Sequence, residues 1–350
     1  MNNVMLVARP RAAARLAVSI VAALALAASI AAPSAGAAKP SVRAGASATA
    51  APTLHNTCKR SAIEVPSCGV LWGMFMPTLQ YPTVEKKVGR RFDIVKDYYD
   101  WQPGKTFPSR HLRALAHDGR RILDISWNAI DYRNRAKISY QSIASGQWDN
   151  SVILPEARAL KSFHHKIFVD FSHEPDSQAQ SGRGTPAQYV AAYRHIHRVM
   201  AAAGVHNIIW VWVTTGDLDH RKFIKASYPG AAYVNWVGYD PYNWVACHSA
   251  GWRTPYQTFA PYYRWVRHQR GMKQKPIMLA EYASAAGPAI GAWYAAVAPA
   301  LKRLPRIKAV MQWSWMTSST CDFRLSSYSA ALPGFILSSH ARNILGKPRG

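Results

Sequence analysis

The stretch KPIMLAEYAS, Lys275 to Ser284, decides the fold. Ile277, Met278, Leu279 and Ala280 run straight into Glu281, and Tyr282, Ala283 and Ser284 lead out. A short apolar run behind a Lys-Pro entry reads as a strand buried on both faces, as in a parallel sheet under helices. An ionised carboxylate is costly there unless partners or water serve it. The chain holds only five Glu, and a second, Glu174, closes another such run, KIFVDFSHE from Lys166. Either glutamate alone could be a strand-end residue held by an Arg or a helix cap. Two of them, each at the C-terminal end of a buried strand, point to a paired-carboxylate active site.

Working outward, apolar runs alternate with amphipathic stretches. Strands are expected at Val70–Phe75, Asp93–Trp101, Arg121–Asn128, the run ending at Glu174, Asn207–Val213, Tyr233–Tyr239, the run ending at Glu281, and Ile307–Trp315. Helices are expected near Val84–Arg91, Pro108–His117, Ser151–Phe163, Tyr256–Arg270, Ala289–Leu304 and Ser327–Ile344. Thr185, Pro186, Ala187 and Gln188 form a capping box with Pro at the first helical position, and Gly204 ends that helix. Eight such units fit an α/β fold of the (β/α)8 TIM barrel type, whose usual length is about 250 residues. An open doubly wound sheet normally carries a Gly-rich turn after its first strand. The chain has no GxGxxG, Walker lysine loop, HExxH or GxSxG. In a barrel both glutamates would sit at the catalytic end.

The chain begins with Arg9, Arg11 and Arg15, an apolar stretch from Leu16, and small residues from Ser34 to Ala38. This order reads as a secretory signal peptide over residues 1–37. Residues 38–57 are Ala-, Ser- and Pro-rich and read as a linker. Residues 58–350 then form a single catalytic domain, secreted and monomeric. In an exported chain four cysteines favour disulfides over a metal site. Of the three pairings, the near pair Cys58 and Cys68 and the far pair Cys247 and Cys321 are expected. His164, His165, His195 and His197 match no common ligand spacing, so neither metal nor cofactor is expected.

Lys and Arg number 43 against 18 Asp and Glu, a formal net charge of +25. Such a surface favours polyanions, but the basic residues are scattered, without the stripe and interleaved aromatics of a nucleic-acid binder. No nucleic acid is therefore expected as a partner. The charge reads instead as electrostatic association with an anionic cell envelope.

Glutamates on strands four and seven face each other across a barrel mouth, as glycoside hydrolysis requires. Trp101, Trp127, Trp212, Tyr239, Tyr242, Trp313 and Trp315 lie at other strand ends. Sugar rings stack their C–H faces on such aromatics, which suits a β-linked polysaccharide. Asp124 and Asp240 are assigned supporting, orienting roles.

The segments IASGQWD, FVDFSHE, TPAQYVAAYRHIHRVMAAAG, NIIWVWV, YVNWVGYDPYN and KPIMLAEYAS together resemble glycoside hydrolase family 26. That family contains secreted retaining β-mannanases and related endo-glycanases on the (β/α)8 barrel. The resemblance implies Glu174 as acid/base, His173 beside it placing the sugar, and Glu281 as nucleophile. It implies that Tyr239 or Tyr242 hydrogen-bonds the nucleophile. Pro175, Asp176, Ser177 and Gln178 stand where the family usually has Met-Asn-Gly and a nearby Trp. Asp170 stands where it often has Arg. Mannan is the default substrate, with mixed-linkage glucan, xylan or an envelope glycan as rivals. The alternative function is a non-catalytic barrel that binds an envelope glycan.

Overall fold

The computed structural model describes residues 54–346 apart from 249, 288 and 320. The leader and most of the linker expectation lie outside these residues. Among the described residues eight strands form the barrel: β1 Leu71–Phe75, β2 Ile94–Trp101, β3 Ile122–Asp131, β4 Ile167–Phe171, β5 Ile208–Thr214, β6 Trp236–Tyr239, β7 Ile277–Ser284 and β8 Ile307–Trp313. Each pairs in parallel with the next, and β8 pairs with β1, so the sheet closes as a (β/α)8 barrel. Burial on both faces explains the continuous apolar runs; all eight residues of β7 are buried.

Strand alternation sorts the side chains into two layers. Leu71, Ile94, Ile122, Phe168, Ile209 and Met278 fill the barrel interior. Val95, Leu123, Val169, Trp210 and Leu279 face the surrounding helices. The capping box forms as expected: Gln188 N–H donates to Thr185 Oγ1 (3.2 Å) and Thr185 N–H to Gln188 Oε1 (2.8 Å). The helix it starts runs Pro186–Ala202. Instead of one helix over Ala289–Leu304 there are two, Ile290–Ala295 and Val297–Lys302. Pro299 explains the break, because it has no N–H for the Ala295 carbonyl four residues earlier. The Ser338 hydroxyl donates between the Tyr294 carbonyl (2.6 Å) and that of Ala295 (3.0 Å).

The N-terminal segment closes the barrel base. Ile63 and Val65 pack against the interior layer, and Trp236 Nε1 donates to Ile63 O (2.7 Å). The Cys58–Cys68 disulfide ties this segment together, with Cα atoms 5.3 Å apart. Asn56, in the stretch expected as linker, donates through Nδ2 to Val70 O (3.1 Å) and Ile344 O (2.7 Å). Ordered attachment to the barrel thus begins before Cys58. Among the described residues no helix is long and apolar enough to cross a membrane.

Candidate active site

Glu281 enters the mouth through a register shift. Met278 and Ala280 point into the barrel, so strict alternation would turn Glu281 outward. The β7–β8 ladder shifts register between Leu279 and Tyr282, and such a bulge re-aims a side chain. Tyr98 donates to Glu281 Oε1 and Tyr242 donates to Oε2. Tyr98 shares the inward face of β2 with Ile94 and Lys96. Tyr242 is held by a two-residue strand, Tyr242–Asn243, that pairs with Ala283 and Ser284 of β7. Burial and the adjacent Glu281 charge push both phenols well above their usual pKa, so they remain donors.

Glu174 follows β4 in a different setting. Its backbone φ is +52° and that of Ser172 is +44°, so the turn around His173 is held in a left-handed conformation. Such strain in residues other than Gly gathers at functional sites. Burial, the Glu281 charge and Asp176 raise the Glu174 pKa to about 8. Asp240 is itself pushed well up by burial, Glu281 and Glu174. Neighbouring carboxyl groups oppose each other's ionisation, so these surroundings favour the protonated form of Glu174.

His173 Nδ1 lies 3.0 Å from Asn128 Oδ1. Burial lowers its pKa to about 4, so the ring is neutral. Beneath the mouth, Lys96 Nζ lies 3.0 Å from Asp124 and 3.3 Å from Asp170, whose Oδ2 also accepts from Ser126 Oγ (2.8 Å). Burial opposes the charge on Lys96. Asp124, Asp170, Glu281 and Asp240 outweigh it and raise its pKa. Asp170 is thus one partner of a cation supplied by β2.

Of the aromatics expected to line the cleft, Tyr242 lies beside Glu281 and Trp313 packs against Tyr242, in one cluster with Phe75, Phe323 and the Cys247–Cys321 disulfide. Trp101, Trp127 and Trp212 are corrected to core residues: all three are buried in the barrel–helix layer. Trp101 packs on Trp127 with ring centroids 5.0 Å apart. Tyr239 also belongs to that layer, and its hydroxyl donates to Phe259 O (2.7 Å), not to Glu281. The reason is parity: on their strands these residues alternate with the inward-facing set. The same rule would have found Tyr98, Lys96 and Asn128, which the sequence reading passed over. The pairing of Cys58 with Cys68 and of Cys247 with Cys321 is as expected. Beside Glu174 a polar hollow of about 870 Å³ opens, lined by Asp176, Ser177, Gln178, Gln180, Asp217 and His220.

A family model described as glycosyl hydrolase family 26 matches residues 177–317, which include Glu281 and begin three residues after Glu174. Endoglucanase H of Acetivibrio thermocellus is 29% identical over 205 residues, covering 56% of this chain and 22% of that protein. A β-mannanase of the same family from Bacteroides ovatus superposes with a TM-score of 0.59 at 15% identity, over 79% of this chain and 90% of that one. The family 26 domain of an endo-β-mannanase/endo-β-glucanase from Prevotella bryantii gives 0.55 at 16% identity, over 79% and 90%. The two structures share the fold, and the sequence matches make this chain similar to glycosyl hydrolase family 26 over residues 177–317.

Proposed function

We propose that the protein is a secreted retaining glycoside hydrolase acting on a β-linked polysaccharide. The observation that carries this reading is the pair of unlike glutamates at one mouth. Glu281 accepts from two phenols, whereas Glu174 has its pKa raised to about 8 by burial and neighbouring carboxylates. Glu174 donates its proton to the glycosidic oxygen as the bond breaks. Glu281 attacks the anomeric carbon and forms a glycosyl ester. Glu174, now ionised, draws a proton from the water that hydrolyses the ester. Tyr98 and Tyr242 stabilise the charge on Glu281 before attack and when it is released. Neutral His173, with Nδ1–H directed at Asn128, offers Nε2 as an acceptor for a sugar hydroxyl.

Similarity to an endoglucanase and to mannanases supports a β-linked polymer, with β-mannan as the default. The polar hollow beside Glu174 stands where the family resemblance would place an aromatic subsite, which favours a substrate recognised there by hydrogen bonds. The excess of positive charge supports retention of the enzyme on an anionic envelope. Reducing-sugar release from mannan, mixed-linkage glucan, xylan and an envelope glycan tests the reading. Release from at least one is expected. Binding without release from every polymer would leave a glycan-binding barrel in its place.

A further inference from the structure

Cations stand at both ends of the barrel, and at the base they crowd the strand entries. At the mouth, three arginines pair with carboxylates, Arg133 with Asp131 (2.6 Å), Arg324 with Asp322 (2.7 Å) and Arg135 with Asp100, while Lys105 and Lys222 have no salt bridge among the described residues. At the base, the strands are entered through cations. Lys166 directly precedes β4, Lys275 stands two residues before β7, Arg306 directly precedes β8, and Lys308 is its second residue. Lys161, in the last turn of the helix leading to β4, joins them. Among the described residues no salt bridge neutralises these five. Nearby carboxylates are shared or taken: Glu64 pairs with Arg60 (3.0 Å) and also feels the Lys166 charge, and Asp118 pairs with Arg91 (2.9 Å) and Arg120 (3.8 Å).

The like charges crowd one another. Burial and then Arg267 lower the Arg306 pKa, and burial and then Arg306 lower that of Lys308. Helix C-termini attract cations through the helix dipole. That accounts for Lys161 but not for the four at strand entries. On this face a hollow of about 360 Å³ is lined by Lys161, His164, Lys166 and His206. Lys166 Nζ spends one donor on His206 O (3.0 Å) and keeps two for a ligand. A single-stranded nucleic acid would call for aromatic stacking platforms. The exposed large apolar side chains among the described residues are Leu54, Tyr132, Met316 and Leu337. Tyr132, the aromatic one, directly follows β3 at the opposite end.

We infer that the barrel base is a docking face for a phosphate-rich anionic glycopolymer, with the hollow between Lys161 and Lys166 seating one phosphodiester group. The mouth then points away from the anchor toward neutral glycan. This deepens the envelope part of the proposed function and is independent of the hydrolytic part. The probe is inorganic polyphosphate, titrated at low and moderate salt against the parent protein, Lys161→Glu/Lys166→Glu and a mouth-end control, Lys105→Glu/Lys222→Glu. Both pairs remove two exposed cations, so net charge changes equally. The base variant should bind about tenfold more weakly than the control, with a shallower salt dependence. A melting midpoint close to the parent's confirms that it is folded, and Lys161→Gln/Lys166→Gln gives a milder second comparison. Equal losses in base and control variants would overturn the docking face, leaving only diffuse charge. Absence of polyphosphate binding, or tighter binding of duplex DNA, would also overturn it. None of these outcomes alters the glycan-release test, so the two readings fail separately.

Discussion

The ends of β4 and β7 each present a glutamate to one mouth, and what surrounds each carboxyl separates their roles. Around Glu281 the neighbours are donors: Tyr98 and Tyr242, one to each oxygen. Around Glu174 they are carboxyl groups: Glu281, Asp176 and Asp240. Donors favour the charged form of a carboxyl group, and acids nearby favour the neutral form. In the proposed mechanism, two residues of one type thus act as nucleophile and proton donor through placement alone.

The first way to break this contrast is Glu281→Gln, which keeps the shape and removes the proposed nucleophile. Turnover should fall on the order of 10⁴-fold or more, measured as initial rate on the best polymer. Glu174→Gln should cost roughly 10²–10⁴-fold on the polymer and much less on an aryl glycoside with a good leaving group, up to a slow deglycosylation step. Its pH profile gives the sign. Glu174 must be protonated to act, so activity in the parent falls as pH rises through about 8. In Glu174→Gln that alkaline limb should vanish.

Lys96 sharpens the contrast from below. It lies between Asp124 and Asp170, and Glu281 and Asp240 also help to hold its charge. Lys96→Met strands two buried aspartates, and breaking such a buried pair costs about 3–5 kcal/mol. Chemical denaturation should show that loss, and an unchanged midpoint would mean that the network is not held together by Lys96. Tyr98→Phe and Tyr242→Phe should each be milder. Removing one hydrogen bond to a charged group costs about 1.5–3 kcal/mol, roughly 10–100-fold in kcat. Tyr239→Phe, whose hydroxyl donates to a helix carbonyl, should leave kcat near the parent's.

Much of this was legible in the chain. Apolar runs ending at Glu174 and Glu281 place both acids at the same end of a parallel barrel, because such runs are buried on both faces. Tyr98 was legible too, since it shares its face with Ile94 and Lys96, but the neighbouring Trp101 drew the reading by size. Trp101, Trp127 and Trp212 occupy outward positions beneath the helices, where large rings fill the barrel–helix layer. What the sequence could not disclose is the register shift between Leu279 and Tyr282, which depends on pairing with β8. Nor could it show that Lys96, 74 residues before Asp170, would reach that carboxylate.

The assignment of roles is tested most directly by azide rescue of alanine variants on an activated β-glycoside, with the product's anomeric configuration read by NMR. In Glu281→Ala, azide takes the nucleophile's place and should restore turnover with an inverted, α-configured glycosyl azide. In Glu174→Ala, the glycosyl ester on Glu281 still forms, and azide should yield the retained, β-configured product. The same configuration from both variants, or the two outcomes exchanged, would contradict the assignment of Glu281 as nucleophile and Glu174 as acid/base.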